Sequence, residues 1–154
     1  MKSFLFLLAT LCLMTGLTVE NAAAQSGLEG GIRFGDVVAA DVTMPLAKEP
    51  RLHGAFYFDR IGIGTYFDWL FRLSDGPGNL RFYPGVGPEM FFEKQFDLRV
   101  AGNFGVEWAF SEVPITIGFD WRPAFRLTNG TDFNSNNWGF IARFRFGKSK
   151  FEPA

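Results

Sequence analysis

Apolar and polar side chains alternate along the segment from Pro114 to Leu127. Apart from Pro123, its odd positions carry Ile, Phe, Trp and Leu, whereas its even positions include Thr116, Asp120 and Arg126. Successive side chains of a strand point to opposite faces of a sheet, so the segment predicts a strand with one aromatic face and one charged face. The same alternation recurs along most of the chain. It is typical of a barrel with lipid outside and a polar core within.

Turn-forming residues divide the chain into eight candidate strands. They cover roughly residues 28–35, 38–45, 51–59, 61–73, 80–92, 96–110, 114–127 and 136–147. A tight turn at Gly35-Asp36 separates the first two, although a single kinked strand or a short helix from Val37 to Val42 also fits. We therefore expect an all-β fold, an antiparallel up-and-down transmembrane β-barrel of about eight strands.

The N-terminal segment has the features of an export signal. Lys2 precedes a short apolar run, and small residues follow at Ala22-Ala23-Ala24. The apolar run is shorter than the roughly 20 residues that a membrane helix needs. The only cysteine, Cys12, lies in this segment, so no disulfide or thiolate metal site is expected in the mature chain. The predicted division is a signal peptide at 1–24, an outer-membrane barrel at 25–147 and a short tail at 148–154.

The distribution of arginine and lysine indicates which face is inside. The lysines beyond the signal, at positions 48, 94, 148 and 150, fall in predicted turns or the tail, whereas eight of the ten arginines fall in strands on the polar face. A confined interior favours guanidinium groups, which pair bidentately with carboxylates. Eight strands leave an interior that side chains can fill, so we expect a plugged core of ion pairs and not a wide pore. The predicted network comprises Arg33, Asp41, Asp68, Arg72, Arg81, Glu89, Arg99, Glu107, Asp120, Arg122, Arg126, Arg143 and Arg145.

Aromatic residues and net charge narrow the possible partners. The chain has 20 phenylalanines, more than a small soluble domain readily buries, whereas a bilayer accepts them. Trp69, Trp108 and Trp138 are predicted to form girdles at the two membrane interfaces. The formal net charge is −1 with no basic stripe, which excludes nucleic acid as an expected partner.

The last predicted strand, Trp138–Phe146, has the sequence WGFIARFRF. Here the chain resembles the small eight-stranded outer-membrane barrels of the OmpA/OmpX type, and it is similar to Bacteroidetes-type outer-membrane barrel proteins. Phe140, Phe144 and Phe146 resemble the aromatic-ended signal that the barrel assembly machinery recognises. In that family the terminal aromatic usually closes the chain, whereas here eight residues follow Phe146.

The resemblance also implies a location and partners. The protein would be exported to the outer membrane of a Gram-negative envelope, with the lipid bilayer and the assembly machinery as partners. Both termini would face the periplasm, and residues 128–136 would form the one sizeable extracellular loop. An extracellular ligand, if there is one, is expected at Thr128, Asn129, Asp132, Asn134 and Asn136.

Three features are candidate sites of chemistry. His53 shares the polar face of its strand, but the mature serines lie in turns or ends, so a histidine bound within the core is favoured over a catalytic base. Asp and Asn recur at every second position from Asp132 to Asn136, yet the spacing suits a turn better than a calcium loop. Gly85 and Gly87 share a face with Tyr83, where they leave a small void or, as we favour, make room for neighbouring side chains. No metal or cofactor is expected.

The leading hypothesis is a structural or surface-interaction protein of the outer membrane, not an enzyme. A lipid-modifying envelope enzyme with His53 as its base, and a narrow channel, are the alternatives within the barrel interpretation. A soluble periplasmic ligand-binding barrel is a further alternative, and it requires the aromatic rings to point inward.

Overall fold

The computed structural model describes residues 27–74, 78–93 and 95–147. The predicted signal peptide, its cleavage site and the tail from residue 148 onward lie outside the described residues. Within the described ranges, no helix is long and apolar enough to cross a membrane. Regular structure there consists of the strands β1 (Leu28–Gly35), β2 (Ala39–Pro45), β3 (Pro50–Tyr57), β4 (Gly62–Trp69), β5 (Phe71–Arg72), β6 (Gly78–Phe92), β7 (Phe96–Phe110), β8 (Ile115–Trp121), β9 (Ala124–Arg126), β10 (Asp132–Asn134) and β11 (Trp138–Phe146).

The sheet closes on itself because the first and last strands pair. β1 runs antiparallel to β11, from Leu28 opposite Phe146 to Gly35 opposite Gly139. Around the wall the antiparallel order continues through β2, β3, β4, β6, β7 and β8 back to β11. β5 continues β4 alongside β6, and β9 continues β8 alongside β7. The result is a closed eight-stranded antiparallel barrel, which confirms the predicted fold class.

Residues 28–45 form the two predicted strands, so the alternatives of one kinked strand or a helix are wrong. The strand boundaries differ from the predicted ones in three places. The predicted strand 61–73 is divided at Leu70 into β4 and β5. The predicted strand 114–127 is interrupted between Trp121 and Ala124, where Pro123 has no amide hydrogen to donate. The register with β7 nevertheless continues unchanged across this break. Part of the predicted loop, Asp132–Asn134, is the strand β10, which pairs with β9.

The two faces of the wall have opposite chemistry. Thirty-two large apolar side chains are exposed among the described residues, including Phe34, Phe104 and Phe140. The buried residues are dominated by charged and polar side chains. Apolar rings therefore point outward, and the inward arrangement that a soluble ligand-binding barrel requires is absent from the described residues. Phe91, which breaks the alternation in the sequence, is buried inside.

The barrel has two open ends, which we name by what they carry. The terminus mouth holds the two ends of the described chain, Gly27 and Gly147, and the connections β2–β3, β5–β6 and β7–β8. The loop mouth holds the connections β1–β2, β3–β4 and β6–β7 and the longer segment between β9 and β11. This distribution follows from the up-and-down topology, because hairpin connections alternate between the two ends.

Glycines on the inner wall are already covered by neighbouring side chains. A Cβ atom on Gly85 would lie 2.0 Å from Asp68 Oδ1, and one on Gly105 would lie 2.3 Å from the Tyr83 ring. At Gly87 it would lie 1.8 Å from the backbone oxygen of Thr65. These glycines admit their neighbours closely, as the favoured interpretation predicts, and leave no void for a ligand beside Tyr83.

Candidate functional site

The barrel interior contains a nearly balanced set of ionisable side chains. Seven carboxylates, six guanidinium groups and one imidazole are buried among the described residues. Buried charges are costly unless they are paired and hydrogen-bonded, so the arrangement of these groups decides what the interior can do. The carboxylates are those of Glu29, Asp41, Asp68, Glu89, Asp97, Glu107 and Asp120, and the guanidinium groups are those of Arg33, Arg51, Arg81, Arg99, Arg122 and Arg143.

A central cluster is organised around Arg122, at the break between β8 and β9. Its Nη2 atom lies 2.7 Å from Asp41 Oδ2 on β2 and 2.8 Å from Asp120 Oδ2 on β8. Asp120 also accepts a hydrogen bond from Arg33 Nε on β1 at 2.8 Å. One chain of charges thus joins β1, β2 and β8 across the interior, and the three side chains Arg33, Asp120 and Arg122 have no exposed surface.

His53 lies between two carboxylates of this interior. Its Nε2 atom is 3.0 Å from Asp41 Oδ2, and its Nδ1 atom is 3.0 Å from Asp68 Oδ2. Asn103 donates to the other oxygen of Asp68 at 2.8 Å and accepts from Arg122 Nε at 3.2 Å. Both ring nitrogens are therefore occupied by carboxylates. This arrangement fixes the histidine in place and links the central cluster to the next one.

A second cluster, nearer the terminus mouth, is organised around Glu107 on β7. Its carboxylate pairs with Arg51 Nη1 at 2.8 Å and with Arg81 Nη2 at 2.8 Å, and it also binds Arg143 Nη2. The Arg51 guanidinium lies over the Tyr83 ring, 4.3 Å from its centroid. Three guanidinium groups thus share one carboxylate. Arg81 has a further partner in Glu29 at 3.2 Å.

Glu89 is bound by hydroxyl groups. Tyr57 Oη donates to Glu89 Oε1 at 2.8 Å, and Tyr66 Oη donates to the same oxygen. The two hydroxyls also contact each other, and the Arg122 guanidinium lies 5.2 Å from the centroid of the Tyr66 ring. Tyrosine side chains thus fill the space beside the central cluster and satisfy a carboxylate that has no arginine partner among the described residues.

A third cluster lies at the loop mouth. Asp97 Oδ2 is 2.6 Å from Arg99 Nη2 and 3.5 Å from Arg60 Nη2, and Asp97 Oδ1 is 3.3 Å from Arg126 Nε. Arg60 and Arg99 both lie over the ring of Phe91, at 4.7 and 4.8 Å from its centroid. The inward-pointing Phe91 therefore supports two of the three cations that surround this carboxylate.

Three arginines assigned to the interior lie at the mouths. Arg72 is exposed at the terminus mouth and forms no ion pair with another described residue. Arg145, at the same mouth, is half-buried and donates from Nη2 to the backbone oxygens of Phe110 and Val113. Arg126 is 32% exposed at the loop mouth, but it pairs with Asp97 and so belongs to the ion-pair network. The assignment of Arg72 and Arg145 to the interior network needs correction, because alternation gives the face of a strand but not the height at which the barrel encloses it.

One arginine of the network is not predicted from the sequence. Arg51 begins its predicted strand, yet it is buried and pairs with both Asp68 and Glu107. Asp97 lies on the polar face that alternation predicts, and its carboxylate is the centre of the loop-mouth cluster. Alternation does predict an inward side chain at Arg51, because this residue lies two positions before His53 and therefore on the same face of β3.

The predicted girdle and assembly residues lie on the outer face. Trp69 and Trp108 are exposed towards the terminus mouth, and Trp138 is exposed towards the loop mouth. Trp138 stacks on Trp121 with ring centroids 5.3 Å apart. Trp121 is thus a fourth tryptophan beside the three that were predicted for the girdles. The three phenylalanines of the predicted assembly signal are exposed on β11, the strand that closes the barrel: Phe140, Phe144 and Phe146.

Two of the candidate loop residues fasten the loop to the barrel. Thr128 Oγ1 accepts a hydrogen bond from Leu98 N at 2.9 Å, and Asn129 Nδ2 donates to Phe96 O at 2.8 Å. Asn134 Oδ1 accepts from Asn136 N at 2.9 Å within the loop. Asp132, on β10, lies opposite Arg126 on β9. Thr128 and Asn129 are thus anchors, whereas the exposed surface of the segment lies on and after β10.

No group of His, Cys, Asp and Glu side chains within the described ranges is arranged to hold a metal ion. The segment around Asp132 contains the short strand β10. Comparison of the chain with protein-family models, curated proteins and solved structures finds no match.

Proposed function

We propose that the protein is a small outer-membrane β-barrel with a structural or surface-interaction role, and that its interior is closed by ion pairs. The observation that carries the proposal is the inverted polarity of the wall. Apolar side chains cover the outside, and charged side chains fill the inside. This is the arrangement that a lipid environment stabilises, because the outer band is then in contact with hydrocarbon.

The extent of the apolar surface supports the membrane location. Soluble monomers rarely expose contiguous apolar patches larger than a few hundred Å². Here exposed apolar side chains recur on every strand of the wall, as with Ile32 on β1, Ile63 on β4 and Phe104 on β7. In water such a surface favours association, whereas in a bilayer it needs no partner. The export signal predicted at residues 1–24 and the aromatic β11 support delivery to an outer membrane.

The density of ion pairs supports a closed interior. Fully buried arginines, tyrosines and His53 occupy the middle of the barrel, and their contacts join strands on different sides of the wall. An open channel instead needs a continuous row of solvated groups. The same contacts argue against His53 as a catalytic base, since Asp41 and Asp68 occupy its two nitrogens.

The surface available to a partner is the segment after the anchor residues Thr128 and Asn129. Phe133 is 61% exposed on β10, with Asp132 and Asn134 beside it. An exposed aromatic side chain flanked by polar groups is a typical contact residue at protein interfaces. We infer that any extracellular ligand contacts this short strand and not the smaller connections at the same mouth.

The test is heat-modified gel mobility of the mature chain refolded with and without a neutral detergent, together with far-ultraviolet circular dichroism. We expect a faster-migrating unheated band and a strand-dominated spectrum only when amphiphile is present. A monomeric strand-rich fold in plain buffer contradicts the membrane location. Planar-bilayer recordings of the same material test closure separately: we expect no steady ion conductance, and a stable open level contradicts the closed interior.

A further inference from the structure

The terminus mouth contains a cavity with a strong excess of positive charge. Its volume is about 60 Å³, and it extends between the β2–β3 connection, the start of β1 and the end of β11. Five cationic side chains and two carboxylates line it. The cations are those of Lys48, Arg51, Arg72, Arg81 and Arg145.

The network beneath this cavity does not neutralise the excess. Glu107 lies below the floor, but it is already shared by Arg51, Arg81 and Arg143. Glu29 is shared in the same way by Arg81 and Arg143. Glu49, the other carboxylate of the lining, is exposed. Arg51 also pairs with Asp68 at 3.1 Å, but that carboxylate is shared with His53. Glu29 and Glu107 each serve more than one guanidinium group.

Three arginines of the cavity lining each have a guanidinium nitrogen without a hydrogen-bond partner. Among the described residues, Arg51 Nη2, Arg81 Nε and Arg145 Nε are enclosed by protein and make no hydrogen bond. Arg51 as a whole is only 3% exposed. Leaving a buried donor of a charged group unsatisfied costs more than 1 kcal/mol, roughly, so these nitrogens indicate a missing acceptor.

The register of β5 and β6 adds an independent observation. Arg72 on β5 lies directly opposite Arg81 on β6. Like charges at directly opposed positions of an antiparallel pair repel each other. An anion between the two side chains converts this repulsion into attraction. At the loop mouth, the opposed pair Arg99 and Arg126 already has such an anion, because Asp97 contacts both of them.

We propose that the terminus mouth is a binding site for a phosphate group. A phosphate has several oxygens in fixed tetrahedral positions, and guanidinium groups bind such oxyanions with paired hydrogen bonds. The cavity is about four times the size that one buried water needs, which leaves room for the four oxygens of a phosphate. Arg51 and Arg81 contact the phosphate from below, and Arg72 and Arg145 contact it from the rim.

The test is isothermal titration of inorganic phosphate into the refolded full mature chain in a maltoside detergent, which contains no phosphate. The buffer is Tris, and chloride keeps the ionic strength constant. We expect saturable binding that Arg72→Gln weakens about three- to tenfold, since this exposed side chain contributes one charge-assisted contact. Glu49→Gln is expected to tighten binding, because it removes a negative charge from the lining.

The matched control is Arg60→Gln, which removes a partly exposed arginine at the opposite mouth. It is expected to leave phosphate affinity unchanged. Equal weakening by Arg60→Gln and Arg72→Gln means non-specific attraction to a cationic surface, and it overturns the proposal. Absence of saturable binding of both inorganic phosphate and micelles that contain phosphatidic acid to the correctly refolded wild-type protein also overturns it.

Two additional measurements keep the result interpretable. Side-chain nitrogen spectra of arginine in the wild-type protein should show phosphate-dependent shifts of Arg81 and Arg145 and none of Arg60; the reverse pattern contradicts the site.

Titration with micelles containing phosphatidic acid distinguishes the source of the phosphate group. Binding of free phosphate identifies a soluble ligand, whereas binding of the doped micelles alone, with the same sensitivity to Arg72→Gln, identifies a lipid headgroup. Because these experiments start from the refolded barrel, their failure leaves the proposed membrane location standing.

Discussion

Arg51 Nη1 on β3 lies 2.8 Å from Glu107 Oε1 on β7, although β4 and β6 separate these two strands around the wall. Neighbouring strands are already joined by backbone hydrogen bonds, so a pair of this kind adds a connection that the backbone cannot supply. Arg122 and Asp41 join β2 to the break after β8 in the same way, at 2.7 Å. The interior ion pairs therefore brace the barrel across its width.

Removing a central brace should cost much of the stability. Arg122→Met leaves Asp41 and Asp120 without their shared guanidinium partner in a buried site, so we expect a loss of about 3–5 kcal/mol in the free energy of unfolding. Reversible urea unfolding in lipid vesicles measures it. Arg72→Met, at an exposed arginine, is the matched control, with an expected change within about 0.5 kcal/mol. Equal losses in both variants contradict the bracing role of Arg122.

The pair Arg33 and Asp120 should be energetically coupled. Each single change, Arg33→Met or Asp120→Asn, leaves a buried partner incompletely satisfied, whereas the double variant removes both members of the 2.8 Å contact. We expect the double variant to lose less than the sum of the single losses, with an interaction energy of about 1–3 kcal/mol. The same unfolding assay on all four proteins completes the cycle. Strict additivity means that the contact contributes nothing to stability.

Two glycines of the barrel wall should differ sharply in their tolerance of a methyl group. A Cβ atom at Gly87 meets the backbone oxygen of Thr65 at 1.8 Å, whereas one at Gly30 meets the ring atom Cε2 of Phe146 at 3.3 Å. A side-chain ring moves more easily than the backbone of an adjacent strand. We expect Gly87→Ala to destabilise the barrel by about 2 kcal/mol or more and Gly30→Ala by less than about 1 kcal/mol. Thermal unfolding of the two refolded variants checks the order.

A charge on the outer face should test the proposed lipid contact. Phe104 lies outward near the middle of β7, so Phe104→Arg places a cation at the proposed depth of the hydrocarbon and should cost about 2–4 kcal/mol in vesicles. Phe133→Arg makes the same chemical change on β10, outside the proposed span, and should cost less than about 1 kcal/mol. A negligible loss in Phe104→Arg contradicts the assignment of this face to lipid.

The alternation of side chains was sufficient to predict the faces but not the depth of each residue. Residues such as Arg33 and Arg122 were assigned to the polar face, and both are fully buried. Arg72 follows the same alternation but lies beyond the enclosed part of the barrel. The position of a residue along the barrel axis depends on where its strand begins relative to the neighbouring strands. The sequence of a single strand does not contain this offset. The break at Pro123 is similar: proline marked a disturbance, while the unchanged register appeared only in the pairing.

The choice of partners within the interior could not be read from the sequence either. Near equality of arginines and acids predicted pairing in general. It did not predict that Glu107 would take three guanidinium groups while Glu89 would take two tyrosine hydroxyls. The contact of Arg81 is a cross-strand pair, since Arg81 on β6 lies opposite Glu107 on β7. The contacts of Arg51 and Arg143 depend on curvature, which brings side chains from β3 and β11 towards the same point on β7.

The seam between β1 and β11 has a consequence for how the molecule forms. Arg33 on β1 is paired with Asp120, which lies 87 residues away, and Arg143 on β11 reaches back to Glu29 on β1. Before the sheet closes, these two contacts are absent, although Asp120 can still pair with Arg122 and Arg143 with Glu107. The ion pairs of β1 are therefore complete only once β1 lies beside β11. The last hairpin of the barrel thus supplies ion-pair partners for the first strand. Partly assembled barrels lack these contacts and therefore have little stability.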